Sequence, residues 1–226
     1  MTDYSVPYVP PRWLTEHAAG HSQWYIDRFR AMAAEGVDLE GEARLVDLLV
    51  PRRSRILDAG CGPGRVGGAL FLRGHQVVGV DVDPILISAA QEDHPGPTWL
   101  EGDLTELDLA AAGFQDKFDA AVLAGNVMPY LAPGTGSRVL SQVAQHLRPD
   151  SPIAVGFGLD RGYSLSEFDV DVVAAGLTLE QRFATWDLRP WSAAVDYAVS
   201  VLRTPPMADL IDEPASLLTP IVRPGH

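Results

Sequence analysis

Residues Ile56 to Leu70 read ILDAGCGPGRVGGAL. A short apolar run enters a turn carrying Gly60, Gly62 and Gly64, and a stretch suited to a helix comes next. Glycine has no Cβ, so the backbone at Gly60 and Gly64 can turn tightly or lie against a ligand. Strand, glycine loop and helix in that order turn backbone N–H groups and a helix N-terminus toward a bound group, as nucleotide-type cofactor sites require. The spacing is G-x-G-x-G. It differs from the G-x-G-x-x-G of dinucleotide enzymes and from the P-loop, and it lacks the P-loop's phosphate-binding lysine. Ordinary structural glycines in a strand–turn–helix connection are the alternative that the loop alone leaves open.

The rest of the chain supplies a frame for this loop. RILDAG is expected as strand 1, then a helix over Val66 to Arg73 that Gly74 closes. His75 to Val80 is expected as strand 2, and Pro84 suits the first turn of a helix over Ile85 to Gln91. Further strands are expected at Thr98–Leu100, Phe118–Leu123 and Ile153–Phe157, with a helix over Ser137–Leu147. Strands alternating with helices imply a mostly parallel sheet covered on both faces. Toward the C-terminus, Ser164–Ala175 reads as a helix and Leu177–Asp187 as a long strand. Ala193–Leu202 alternates strictly and reads as another strand. The stretch between these strands is too short for a crossover helix, so they are expected to pair as an antiparallel hairpin. Before the core, residues 1–12 read as an irregular arm. Trp13–Ala34 reads as helical with a break at Gly20, and Leu39–Leu49 as a helix closed by Pro51.

Carboxylates recur at the C-terminal ends of the expected strands. Asp58 ends strand 1, Asp81 strand 2 and Asp103 strand 3, while Asn126 comes after strand 4. Ligands of open α/β sheets bind on that edge, so one pocket can reach all four. Asp81 can accept hydrogen bonds from ribose hydroxyls, and Asp103 from an exocyclic amine. Each also has a local reading: Asp81 and Asp83 can cap the helix beginning at Pro84, and Asp103 can be a turn residue.

These segments, taken together, resemble the class I S-adenosylmethionine-dependent methyltransferases. ILDAGCGPGRVGGAL and VVGVDVDP are similar to the first two motifs of that family. LEGDL and FDAAVLAGNVMPYL fit the third and fourth, and HLRPDSPIAVGF resembles the family's next segment, a helix, a proline and a strand. The resemblance covers about residues 54 to 204. It implies a Rossmann-like α/β fold: a seven-stranded, mostly parallel sheet with strand 7 antiparallel beside strand 5, helices on both faces, and an N-terminal helical lid. It divides the chain into an N-terminal arm with helices (1–50), a cofactor-binding core (51–204) and a C-terminal tail (205–226).

By the same resemblance, Gly60, Gly62 and Gly64 line the methionine and ribose part of S-adenosylmethionine, with Cys61 packed beneath it and Arg65 nearby. Asp58 helps bind the methionine amino group. Asp81 holds the ribose, Val82 lies against the adenine, Asp103 meets the adenine amine and Leu104 is its apolar neighbour. Ala124, Gly125 and Asn126 approach the methionine end. Trp24, Tyr25, Met128 and Tyr130 are expected in the acceptor pocket, and His21 and Tyr130 are the candidate bases. Asn126-Val127-Met128-Pro129-Tyr130 lacks the paired prolines of DNA and protein-glutamine methyltransferases, and looks more like the small-molecule type. The expected reaction is direct methyl displacement to a small-molecule acceptor. A non-catalytic cofactor-binding scaffold, or a protein-interaction module, is the alternative. An NAD-linked oxidoreductase would require a different glycine spacing and more chain.

Composition narrows the partners. With a formal net charge of −13 among 226 residues, the surface repels phosphate backbones, and no nucleic acid is expected. Cys61 is the only cysteine, which excludes a disulfide framework and a multi-cysteine metal site; no metal is expected. No apolar run approaches the roughly 20 residues of a membrane span, so a cytoplasmic protein that does not enter membranes is the simplest expectation. The sequence leaves oligomeric state open, a homo-oligomer included.

Overall fold

The computed structural model describes residues 8–207. The N-terminal segment contributes α1 (Arg12–Thr15), α2 (His21–Ala34) and α3 (Gly41–Leu49). Gly20 supplies the break between α1 and α2 by adopting φ 87°, a left-handed conformation that costs glycine little. The core then runs β1 (Arg55–Ala59), α4 (Arg65–Leu72), β2 (Gln76–Asp81), α5 (Pro84–Asp93) and β3 (Thr98–Glu101). After a 3-10 turn at Leu104–Glu106 come β4 (Ala120–Leu123), α6 (Val127–Tyr130), α7 (Gly136–Gln145), β5 (Pro152–Gly158), α8 (Leu165–Ala174), β6 (Thr178–Phe183) and β7 (Tyr197–Arg203).

The seven strands form one sheet in the order β3-β2-β1-β4-β5-β7-β6. Strands β1 to β5 are parallel, and β7 runs antiparallel between β5 and β6. This is the expected Rossmann-like sheet. Alternation along each strand divides its side chains between two cores. Leu57, Val78, Ala121, Ile153 and Leu202 pack with Val139, Leu140 and Val143 of α7 and Phe168 of α8. Ile56, Val77, Ala120, Val122 and Ala154 pack with Ala43 and Val46 of α3 and Leu70 of α4. Burying a side chain of Leu or Phe size is worth about 1.5–3 kcal/mol, so these two layers fix the sheet and, with it, the edge where β1 to β4 end. No helix among the described residues is long and apolar enough to cross a membrane.

The terminal hairpin differs from expectation in extent. β6 stops at Phe183 rather than Asp187, and β7 starts at Tyr197 rather than Ala193. Between them the chain doubles back: Phe183 bridges Pro190, and the Ala184 N–H donates to the Arg189 carbonyl. Trp186 causes the turn-in. Its ring fills the hollow over Gly156 of β5, where a Cβ would collide with it, and its Nε1 donates to the Tyr197 hydroxyl at 3.2 Å. β4 is also shorter than expected: Phe118 makes only an isolated bridge to Leu147. Most of the C-terminal tail, residues 208–226, and the first seven residues of the arm lie outside the described residues.

Candidate functional site

The glycine loop between β1 and α4 is tied to the neighbouring strand. The Gly60 and Cys61 N–H groups both donate to the Val80 carbonyl, at 2.8 and 3.0 Å. Gly60, Gly62 and Gly64 have φ of 78°, 54° and 82°. A Cβ on Gly60 would strike the Val127 side chain, so the loop can lie against α6 only as glycine. Gly64 serves a different purpose. A Cβ there would come within 2.8 Å of the Ala90 Cβ and 3.0 Å of the Trp99 ring, so its bareness lets α4 pack down on α5 and β3.

Asp58 and Asp81 stand behind this loop. The Gly67 N–H donates to Asp58 Oδ2 at 2.8 Å, clamping the first turn of α4 to the end of β1. Asp58 is buried, and that burial pushes its carboxyl up to about 7, with the Gly67 hydrogen bond opposing the shift. Asp81 accepts from the Gly62 N–H at 2.8 Å and from the Asp83 N–H at 3.0 Å, through different oxygens. Burial pushes it up to about 6. Each Asp81 oxygen thus keeps an unused lone pair for a ligand. The Asp103 Oδ1 accepts from the N–H and hydroxyl of Thr105, and its Oδ2 accepts from the Tyr8 hydroxyl at 2.9 Å. The turn reading of Asp103 therefore holds, and the residue also lines the pocket wall.

One cavity joins these groups. Its wall includes Asp58, Gly60, Cys61, Gly62, Arg65, Asp81, Val82, Asp103, Leu104, Ala124, Gly125, Asn126, Tyr25 and Tyr130. Trp13, Phe29, Leu86 and Val127 line it as well, none of them singled out by the sequence patterns. Phe29 carried a usable signal, being one helical turn beyond Tyr25 on α2; the two rings meet edge to face at 4.9 Å. Trp13, on the one-turn α1, had none.

The N-terminal helices form the roof. The Tyr25 ring lies against Gly62, and its hydroxyl faces Gly125. Burial raises the pKa of that hydroxyl, so it remains a hydrogen-bond donor at neutral pH. Trp13 packs edge-on to both Tyr25 and Tyr130, at 5.4 and 5.9 Å. Arg65 lines the wall with its guanidinium already engaged: it holds both Glu42 oxygens and the Leu39 carbonyl, and stacks over Phe29. It braces α2 and α3 against α4. Among the described residues the wall carries three carboxylates and no lysine.

Four expected site residues are not on this wall. His21 stacks on His17 at 3.7 Å and on Trp24 at 5.2 Å, outside the cavity. Trp24 is 54% exposed and Met128 is buried in the sheet core. Gly64 lies beneath α4, against Ala90 and Trp99. Asn126 is on the wall, but its side-chain oxygen is turned to β5, where it accepts from the Gly158 N–H at 2.7 Å. Asp83 caps α5 as expected, accepting from the Ile85 N–H at 2.9 Å. His146 contacts the Leu107 carbonyl at 3.1 Å and is not on the cavity wall.

Comparison with known proteins points to the same fold. The family model described as "Methyltransferase domain" matches residues 56–150. A TehB-like SAM-dependent methyltransferase structure from Corynebacterium glutamicum is 41% identical, covers 83% of this chain and all of its own, and superposes with a TM-score of 0.77. The CcbJ methyltransferase from Streptomyces caelestis shares the fold at 20% identity, covering 73% of this chain and 88% of its own, with a TM-score of 0.65. The malonyl-acyl-carrier protein O-methyltransferase of Pectobacterium atrosepticum is 35% identical over 95 residues, which is 41% of this chain and 35% of the relative. This chain spans about a third of the length of the curated relatives it matches. Sheet order, strand-end carboxylates and a full-length relative at this identity lead to one family, and the chain belongs to the class I S-adenosylmethionine-dependent methyltransferases.

Proposed function

We propose that the chain transfers the methyl group of S-adenosylmethionine to a small-molecule acceptor held beneath the N-terminal helices. The observation that carries this reading is the single cavity that combines the glycine loop, Asp81 and Asp103 on adjacent strand ends, and an aromatic roof. The donor set fits the cofactor. Asp81 retains lone pairs for two hydroxyls, Leu104 and Val82 offer apolar surface, and three carboxylates with no lysine suit a cationic nucleoside better than a phosphate ester. Asp81 would hold the ribose and Asp103 the adenine edge. Asp58 and the backbone at Gly60, Gly62, Ala124 and Gly125 would surround the methionine end, with Cys61 and Arg65 beside them.

When bound, the cofactor supplies an electrophilic methyl on a sulfonium. The residues of this chain supply position and dryness. Aligning the reactants alone is worth effective molarities of about 10⁵ M or more. Tyr25 and Trp13 close the roof and exclude water. Tyr130, on the wall beside them, is placed to relay a proton from a hydroxyl-type acceptor toward solvent, whereas an amine needs little such help. His21, off the wall, keeps no direct role. The net charge of −13 supports a reading without nucleic-acid partners.

The test is a screen of amines, phenols and carboxylic acids for S-adenosylhomocysteine formation with matching methylated product. Turnover of at least one class, lost in Asp81→Ala, is expected. Binding of the cofactor with no turnover across the panel would favour the non-catalytic scaffold.

A further inference from the structure

We propose that Asp83 is a positioning residue that latches the N-terminal helices over the cavity in response to the ligand on Asp81; this rests on reading the cavity as the S-adenosylmethionine site. An N-cap needs one oxygen, and Asp, Asn or Ser serves equally well. Asp83 uses Oδ1 for that purpose, on the Ile85 N–H. Its Oδ2 accepts from two further donors, the Trp13 indole Nε1 at 2.8 Å and the Ser22 hydroxyl at 2.5 Å. These come from α1 and from the first turn of α2. Asp83 is 4% exposed, unlike an ordinary surface cap, because those two elements sit on it.

The fastening is local to the roof. Trp13 itself lines the cavity, and Tyr25 lies three residues beyond Ser22 on α2. Ile26 packs on Leu86 and Ala89 of α5, so the same helix that Asp83 caps also carries α2. A buried carboxylate is tolerable only while its lone pairs are filled. With α1 and α2 seated, both donors fill Oδ2; with them lifted, water does. The carboxylate is thus satisfied in either arrangement, which is what a two-state latch requires. The cavity side of the link is the Asp83 N–H, which donates to Asp81 Oδ1 at 3.0 Å. A ribose held by Asp81 fixes that oxygen, and through it the backbone that aims the Asp83 carboxylate at Trp13 and Ser22.

Asp83→Asn separates cap from latch. The amide oxygen can still accept from Ile85, while its NH2 group meets two donors where an acceptor is needed. The measurement is the release rate of labelled S-adenosylhomocysteine chased with excess unlabelled compound. Release about tenfold faster than wild type is expected, the equivalent of losing hydrogen bonds to a charged acceptor. Trp13→Phe with Ser22→Ala removes the donors and leaves Asp83 in place, so it carries the test should Asp83→Asn fail to fold. It should match Asp83→Asn, and combining all three should add nothing further, the signature of one shared interaction. In hydrogen exchange, S-adenosylhomocysteine should protect residues 12–34 in wild type and not in Asp83→Asn. Unchanged release in both variants with binding retained, or effects that multiply, overturns the latch while sparing the cofactor reading. No binding by the wild type overturns both.

Discussion

Asp58 makes the pH dependence of stability a sharp test of how the loop is built. Asp58 is 1% exposed, and burial pushes its carboxyl up to about 7 from an ordinary 3.8, more than the Gly67 hydrogen bond can offset. A folded-state pKa raised above the unfolded value means the folded protein keeps a proton that the unfolded chain has released. The resulting stability is fully present below the unfolded pKa and is lost as pH rises through the folded one. One such group contributes at most about 1.4 kcal/mol per pH unit. From about pH 5 to pH 7 this amounts to roughly 2 kcal/mol for Asp58, with Asp81, pushed up to about 6, adding the same sign over a narrower window. Urea unfolding at a series of pH values should show stability falling from pH 5 toward pH 8. Asp58→Asn keeps an oxygen for the Gly67 N–H but cannot ionise, so its profile should be flatter and its stability higher at pH 8. Parallel profiles for the two proteins would refute the idea that Asp58 is buried at a cost to its charged form.

Two other substitutions probe the frame of the site. Gly64→Ala places a Cβ 2.8 Å from the Ala90 Cβ at a φ of 82°; a loss of about 2 kcal/mol or more is expected, seen as a fall in Tm of roughly 4–8 °C in a thermal scan. Arg65→Lys replaces a two-pronged grip on Glu42 with a point charge and gives up the Leu39 carbonyl. It should cost about 1–3 kcal/mol in urea unfolding, whereas Arg44→Lys at the exposed Arg44–Asp38 pair should leave the unfolding midpoint essentially unchanged, because solvent screens that pair.

The strand–helix alternation was legible because each core strand alternates between two apolar layers, and because Gly60, Gly62 and Gly64 mark a loop that must turn tightly between the first strand and its helix. The carboxylates at the strand ends were legible for a related reason: chain order alone puts Asp58, Asp81 and Asp103 on the same edge of a parallel sheet. The roof was not. Which face of α2 turns inward depends on where Ile26 seats, and it seats on Leu86 and Ala89, residues far away in sequence. Trp24 lies about 200° round the helix from Ile26 and so faces solvent, while Tyr25 and Phe29 reach the cavity. Trp13 sits on a single helical turn with no periodicity to read. The ends of the last hairpin were missed because Trp186 leaves the strand for the hollow over Gly156, a long-range fit that alternation within 177–187 cannot reveal.

The most direct test of the cofactor site is a calorimetric titration with S-adenosylhomocysteine on wild type and on Asp81→Ala. Wild type should bind, and Asp81→Ala should bind about tenfold or more weakly, since leaving ribose hydroxyls without their buried partner costs about 1–3 kcal/mol. Equal affinity in the two proteins, or no binding by the wild type, would contradict the assignment of this cavity.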